Sequence, residues 1–213
     1  MGCGSGEHWL CRACLLALGG LPELTCPGCG QVESFGLACA ECQALGSPLD
    51  QLVAGFSYEK PVLHKLLWSF KESSNRAVLP YLSRRLAELG PLVVGAQAVV
   101  PVPTSRQRLR ERGFNQASLL AKSFAKTINA PLQEHMLVRT KIGRAQKSLD
   151  VLDRHSELKG VFNLAPGSTY VPKTVVLVDD IATTLATLET CAMALRQAGV
   201  QRIVGLVLAH AQR

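Results

Sequence analysis

Aromatic residues are scarce, at 5% of the 213-residue chain. A protein that grips nucleic acid mainly by stacking bases on rings would carry more. No apolar run is long enough to span a membrane, which argues against membrane insertion. The N-terminus has no basic start followed by an apolar stretch, so no signal peptide is expected and a cytosolic protein is the default. Basic residues are nearly missing from positions 1–50, where Arg12 stands against five acids for a net charge of −4. Positions 51–213 carry the opposite excess, 22 basic against 11 acidic residues, a net of +11. Any attraction to phosphates or nucleic acid therefore belongs to the second part.

Cysteine is plentiful in one place only. Seven of eight lie in the first 42 residues, and Cys191 sits alone on a predicted helix. In a reducing compartment such clustering points to metal rather than disulfides. Residues 1–50, rich in Gly, Pro and Cys, read as a small module that needs a metal or cross-link to hold together. Residues 51–213 read as the main domain. The C-x-x-C pairs Cys26/Cys29 and Cys39/Cys42 have the spacing of a zinc ribbon, because two intervening residues let a tight turn aim both sulfurs at one ion. Four thiolates leave no open coordination position, so such a zinc is structural. Cys11, Cys14 and Cys3 are candidates for a second site, with His8 a candidate fourth ligand. The other reading is a pair of reduced thiols in a degraded site. A thioredoxin-like redox pair is the weaker reading, since no C-x-x-C opens the helix of a βαβ unit.

The main domain alternates strand-like and helix-like segments, which predicts an α/β fold with a parallel sheet and helices on both faces. Strands are expected at Leu52–Tyr58, Ala98–Pro103, Thr174–Val178 and Arg202–Ala209. Helices are expected at Val62–Phe70, Arg76–Leu89, Asn115–Ile128 and Leu185–Gln197. Arg139–Gly160 is polar and basic and fits neither class; it reads as a mobile loop or a hood over a site.

The segment Thr174–Thr187, TVVLVDDIATTLAT, carries the strongest chemical signal. Its apolar β-branched run suits a strand buried on both faces. Ligands of open α/β sheets bind at the C-terminal edge of such strands. Asp179 and Asp180 follow the run, and adjacent carboxylates there need a cation, hydroxyls or N–H donors. Ala182, Thr183, Thr184, Leu185, Ala186 and Thr187 then lead into a helix and offer hydroxyl and N–H groups to an anion. A sugar phosphate suits that layout. The plainer alternative is a strand followed by a Thr-capped helix.

Arg106, Arg108, Arg110 and Arg112 place four guanidinium groups within seven residues. They suit phosphates, or form a solvated basic loop. Gly113, Phe114, Asn115 and Gln116 follow, with Asn115 a natural N-cap.

Val175–Thr187 resembles the phosphoribosyl-pyrophosphate (PRPP) motif of type I phosphoribosyltransferases: a strand, two acids, a spacer and Thr-Thr-Gly-x-Thr. The resemblance implies that Asp179 and Asp180, as the catalytic acids, hold the ribose hydroxyls. It assigns the 5′-phosphate to the loop of Ala182, Thr183, Thr184, Leu185, Ala186 and Thr187. The one departure is Leu185, where that family has glycine. Glycine permits φ > 0 and close approach, so leucine is expected to change the loop or crowd the phosphate. The run VVPVPTSRQRLRERGFNQ at 99–116 narrows the resemblance to the ComF family of competence-associated proteins, which includes GntX-type proteins. Phe70-Lys71 resembles its F-K segment, and Arg139, Thr140, Gln146, Leu149 and Arg154 resemble its hood. The family pairs N-terminal C-x-x-C zinc elements with a phosphoribosyltransferase-like domain. Cys3 corresponds to the second member of its first cysteine pair and Met1 stands where the first lies, which reads as a shortened or misassigned start. The resemblance further implies PRPP with Mg²⁺ as ligand. Pyrophosphate would meet the Pro101–Thr104 loop with Pro103, together with Arg108, Arg112, Asn115 and Gln116. The implied role lies in DNA uptake or utilisation, with single-stranded DNA and a competence helicase or motor as partners. The alternative is a non-catalytic nucleic-acid-binding or scaffold module with a degenerate PRPP site.

Overall fold

The computed structural model describes residues 10–20, 24–72, 78–140, 160–167 and 170–211. Its centre is a four-stranded parallel sheet built from β1 (Gln51–Ser57), β2 (Ala98–Pro101), β5 (Thr174–Ala182) and β6 (Arg202–His210), in the order β1-β6-β5-β2. A separate antiparallel pair joins β3 (Leu137–Arg139) to β4 (Phe162–Leu164). The helices are α1 (Arg12–Leu18), α2 (Ala40–Ala44), α3 (Pro61–Glu72), α4 (Leu79–Ala87), α5 (Arg106–Arg112), α6 (Gln116–Thr127) and α7 (Ala186–Gln197).

Successive strand residues point to opposite faces, and here both faces are covered. On β5, Val176 and Val178 face the cluster that holds Leu63, Phe70, Leu82, Leu120 and Phe124 of α3, α4 and α6. Val175 and Leu177 face the other cluster, with Leu188, Cys191 and Leu195 of α7 and Phe162 of β4. This two-sided burial is why the strand sequences are continuously apolar rather than alternating. The expected α/β class is what the structure shows.

Two differences from expectation bear on the site. β5 does not stop at Val178 but continues to Ala182, because β6 is nine residues long and pairs with it as far as Ala182↔His210. The acids are therefore strand residues, not loop residues. The arginine run is a helix, not a basic loop. The Ser105 hydroxyl caps α5 by accepting from the Arg108 N–H at 3.2 Å, and Gly113 ends it in the left-handed conformation. Residues 141–159, with Gln146, Leu149 and Arg154, lie outside the described residues, as do Cys3 and His8.

The Cys-rich segment is tied to the β1 edge of the sheet. Asp50 accepts the Ile203 N–H at 2.6 Å and pairs with Arg196 at 2.6 Å. The buried Gln51 amide donates to the carbonyls of Phe35 and Leu92 and accepts from Arg202.

Candidate functional site

The pleat of β5 decides where its two acids go. Asp180 shares the parity of Val176 and Val178 and so leans toward α3, where Lys71 Nζ lies 3.0 Å from its Oδ2. Asp179 shares the parity of Val175 and Leu177 and leans toward α7 and the buried Cys191. Backbone N–H groups hold both side chains. Asp180 N donates to Asp179 Oδ1 at 2.8 Å, and Ile181 N donates to Asp180 Oδ1 at 2.7 Å. Burial, and then the Asp180 charge, push the Asp179 carboxyl well above the usual carboxylate range, and Lys71 opposes this only weakly. Burial, and then Asp179, likewise raise the Cys191 thiol.

A cavity of about 300 Å³ opens over these acids. Its wall includes Asp179, Asp180, Thr183 and Thr187 from the β5–α7 segment, and Pro103, Arg108, Arg112, Asn115 and Gln116 from the segment after β2. Nine residues singled out in the sequence therefore meet in one place. Helical geometry sorts the four arginines. Arg108 and Arg112 are four apart, on one face of α5, and both line the cavity; Arg106 and Arg110 form the alternate pair and do not. Asn115 acts as expected: its Oδ1 accepts the Ala117 N–H at 3.2 Å and its Nδ2 donates to the Val102 carbonyl at 3.0 Å. That cap brings the start of α6, and Gln116 with it, to the cavity floor.

Ala182, Leu185 and Ala186 are buried, Thr184 lies in the turn, and none of these four forms part of the cavity wall. Leu185 takes the left-handed backbone conformation, φ 56° and ψ −12°, at the N-cap of α7. This is the region glycine enters freely and a bulky side chain enters only with strain. The side chain is 8% exposed and belongs to the apolar cluster beneath the turn. Leucine thus keeps a glycine-like backbone and does not crowd the cavity.

Five wall residues were not read as site residues in the sequence: Tyr58, Lys71, Ala117, Arg139 and Ile181. Lys71 and Arg139 belong to the F-K and hood segments, but their meeting at the acid pair depends on tertiary placement. Phe70, fully buried, packs its ring 6.2 Å from that of Phe114 and so fixes Lys71 beside the segment leading into α6. Arg139 lies over the Phe162 ring at 5.4 Å, within cation–π range.

In the Cys-rich segment, the sulfurs of Cys26, Cys29, Cys39 and Cys42 all lie within 4.8 Å of one another, a group that could hold a metal ion. The N–H groups of Gly28 and Cys39 point at Cys26 Sγ, at 3.4 and 3.3 Å. Gly28 has no space for a side chain, since a Cβ would lie 2.6 Å from Cys42 Sγ. Burial works against ionising Cys26, but N–H groups of Cys29, Cys39 and Gly28 outweigh it and bring the thiol down to about 6. The Cys39 side chain and then burial push Cys42 up to about 12. Four crowded thiols with N–H support suit a cation that lets all of them ionise. Cys11 occupies the N-cap position of α1 without a side-chain capping bond, and Cys14 lies within the helix; neither joins this group.

No protein-family model matches the chain. Competence protein F of Haemophilus influenzae is 31% identical over 213 residues, spanning 96% of this chain and 92% of that protein. The chain belongs to the competence protein F (ComF) family. The DNA utilization protein YhgH of Escherichia coli is 29% identical across 92% of this chain and 88% of its own. Competence protein ComFC of Bacillus subtilis is 26% identical across 91% of this chain and 80% of its own. Among solved structures, TT1426 of Thermus thermophilus overlaps 61% of this ComF-family chain and 81% of its own at TM-score 0.37 and 17% identity. Adenine phosphoribosyltransferase of Leishmania tarentolae overlaps 65% of this chain and 74% of its own at TM-score 0.37 and 13% identity. Among the described residues, no helix is long and apolar enough to cross a membrane.

Proposed function

We propose that this ComF-family protein binds PRPP in the cavity over Asp179 and Asp180 and acts in the cytosol, in competence or DNA utilisation. The carrying observation is the convergence of an acid pair, two threonines and two arginines on one concave site of about 300 Å³, near the lower end of the usual range for small-ligand pockets. In this reading Asp179 and Asp180 accept from the ribose hydroxyls. Thr183 and Thr187, at the start of α7, take the 5′-phosphate. Arg108 and Arg112, with Pro103, Asn115 and Gln116 beside them, take the pyrophosphate. Ribose-5-phosphate transfer is the enzymatic extension, read by pyrophosphate release. Titration calorimetry with PRPP and Mg²⁺ should give saturable heat that Asp180→Asn reduces; no heat from the wild-type chain would sink the reading.

Zinc at Cys26, Cys29, Cys39 and Cys42 is part of the proposal. Metal analysis of Cys26→Ala should find one equivalent fewer, and unchanged zinc would remove that assignment.

A second reading, single-stranded DNA binding, is favoured by Arg106 and Arg110, which are exposed on α5 and not part of the cavity wall. Phosphate contacts dominate such binding and make it salt-dependent. Filter binding across a salt series should lose retention steeply; a flat response counts against this reading.

A further inference from the structure

Lys71 has a place in the site that the PRPP reading alone does not give it. It stands in the last turn of α3, fixed by its fully buried neighbour Phe70. Its ammonium lies 3.0 Å from Asp180 Oδ2, with the two side chains 26% and 15% exposed. Limited water makes this contact stronger than an open surface pair. The other Asp180 oxygen accepts the Ile181 N–H, so both oxygens of this carboxylate already have donors. A divalent cation on Asp180 would either displace Lys71 or sit a few ångströms from its positive charge, where repulsion is large. Asp180, with Lys71 already on it, therefore does not suit a resident divalent ion.

The charges around the cavity point the same way. Four cations line it, Lys71, Arg108, Arg112 and Arg139, against two acids, Asp179 and Asp180. The excess is of the sign and kind that neutralises phosphate oxygens, the service a metal ion commonly supplies to phosphosugars.

We propose that Lys71 is the site's built-in counter-ion, so that a phosphorylated sugar binds with its charge met by protein cations and without a divalent metal. Lys71 is a positioning residue in this account: it neutralises Asp180 before the ligand arrives and faces the ligand's phosphates afterwards. The proposal rests on the PRPP reading and concerns binding.

The test is calorimetric titration of PRPP into the full chain, once with Mg²⁺ and once with EDTA. The wild type should bind in both, with affinities within about threefold, less than the energy of one weak contact. Lys71→Met should lose about tenfold or more in EDTA, the worth of one charge-assisted hydrogen bond, and less in Mg²⁺. Lys71→Arg should restore metal-independent binding. If the wild type binds only with Mg²⁺, the counter-ion proposal fails while the PRPP reading stands. If it binds in neither arm, both fail. The wild-type comparison decides even where Lys71→Met does not fold, and thermal melts of the variants show whether they do.

Discussion

Replacing Leu185 by glycine separates two explanations of the one residue that departs from the phosphate-loop pattern. If leucine has spoiled the loop, glycine should rescue binding. The structure implies the opposite balance. The backbone at Leu185 already has φ 56°, so glycine would change the chain's path little. Releasing a non-glycine residue from the left-handed region gains roughly 1–2 kcal/mol. The leucine side chain, however, is 8% exposed and packed in the cluster with Leu188 and Cys191. Truncating a buried leucine costs roughly 2–5 kcal/mol. The loss outweighs the gain, and Leu185→Gly should be less stable by roughly 1–3 kcal/mol, a drop of several degrees in Tm for a chain of this size. Because the side chain does not line the cavity, PRPP affinity measured by calorimetry should stay within about threefold of wild type, less than the loss of one hydrogen bond would produce. Urea melts and thermal scans supply the other half of the measurement. A glycine variant more stable than wild type, or one that alone binds PRPP, would refute the argument and favour a decayed site.

Further expectations follow from single contacts. Asp179 is an acid whose folded pKa is raised by burial and by Asp180. Between the ordinary carboxylate range and that raised value the folded state binds the extra proton, so this group makes stability fall as pH rises. Asp179→Asn should therefore raise Tm at pH 7, with the difference closing near pH 4, while weakening sugar-phosphate binding; a lower Tm at pH 7 would contradict the burial argument. Gly28→Ala places a Cβ 2.6 Å from Cys42 Sγ, so the cysteine cluster should lose bound metal on purification, read by metal analysis against wild type. Arg108→Ala and Arg112→Ala should each weaken PRPP binding by about tenfold, as for one lost charge-assisted contact. Arg106→Ala and Arg110→Ala should leave PRPP binding unchanged but flatten the salt dependence of DNA retention; equal effects of all four on PRPP would overturn the two-faced reading of α5.

Strands and motifs were legible in the sequence because each depends on short-range pattern. A β-branched run buried on both faces reads the same from residues as from coordinates, and a C-x-x-C turn carries its geometry within four residues. The site as a cavity was legible only in part, and the missing parts share one cause. Whether β5 ends at Val178 or Ala182 depends on how far its partner β6 extends, which no residue within β5 encodes. The arginine run reads as loop or helix equally well until Ser105 and Gly113 are recognised as its caps; once they are, the four-residue period picks out Arg108 and Arg112. Lys71 is more than one hundred positions from Asp180, and only the parity of the pleat aims that carboxylate at α3 rather than α7. Parity also gives the two acids different lives. One meets an ammonium on the side of Phe70, and the other is turned toward an apolar wall that raises its pKa. Two adjacent, identical letters in the sequence are thus chemically unlike in the fold, because a strand buried on both faces must send neighbours to opposite layers.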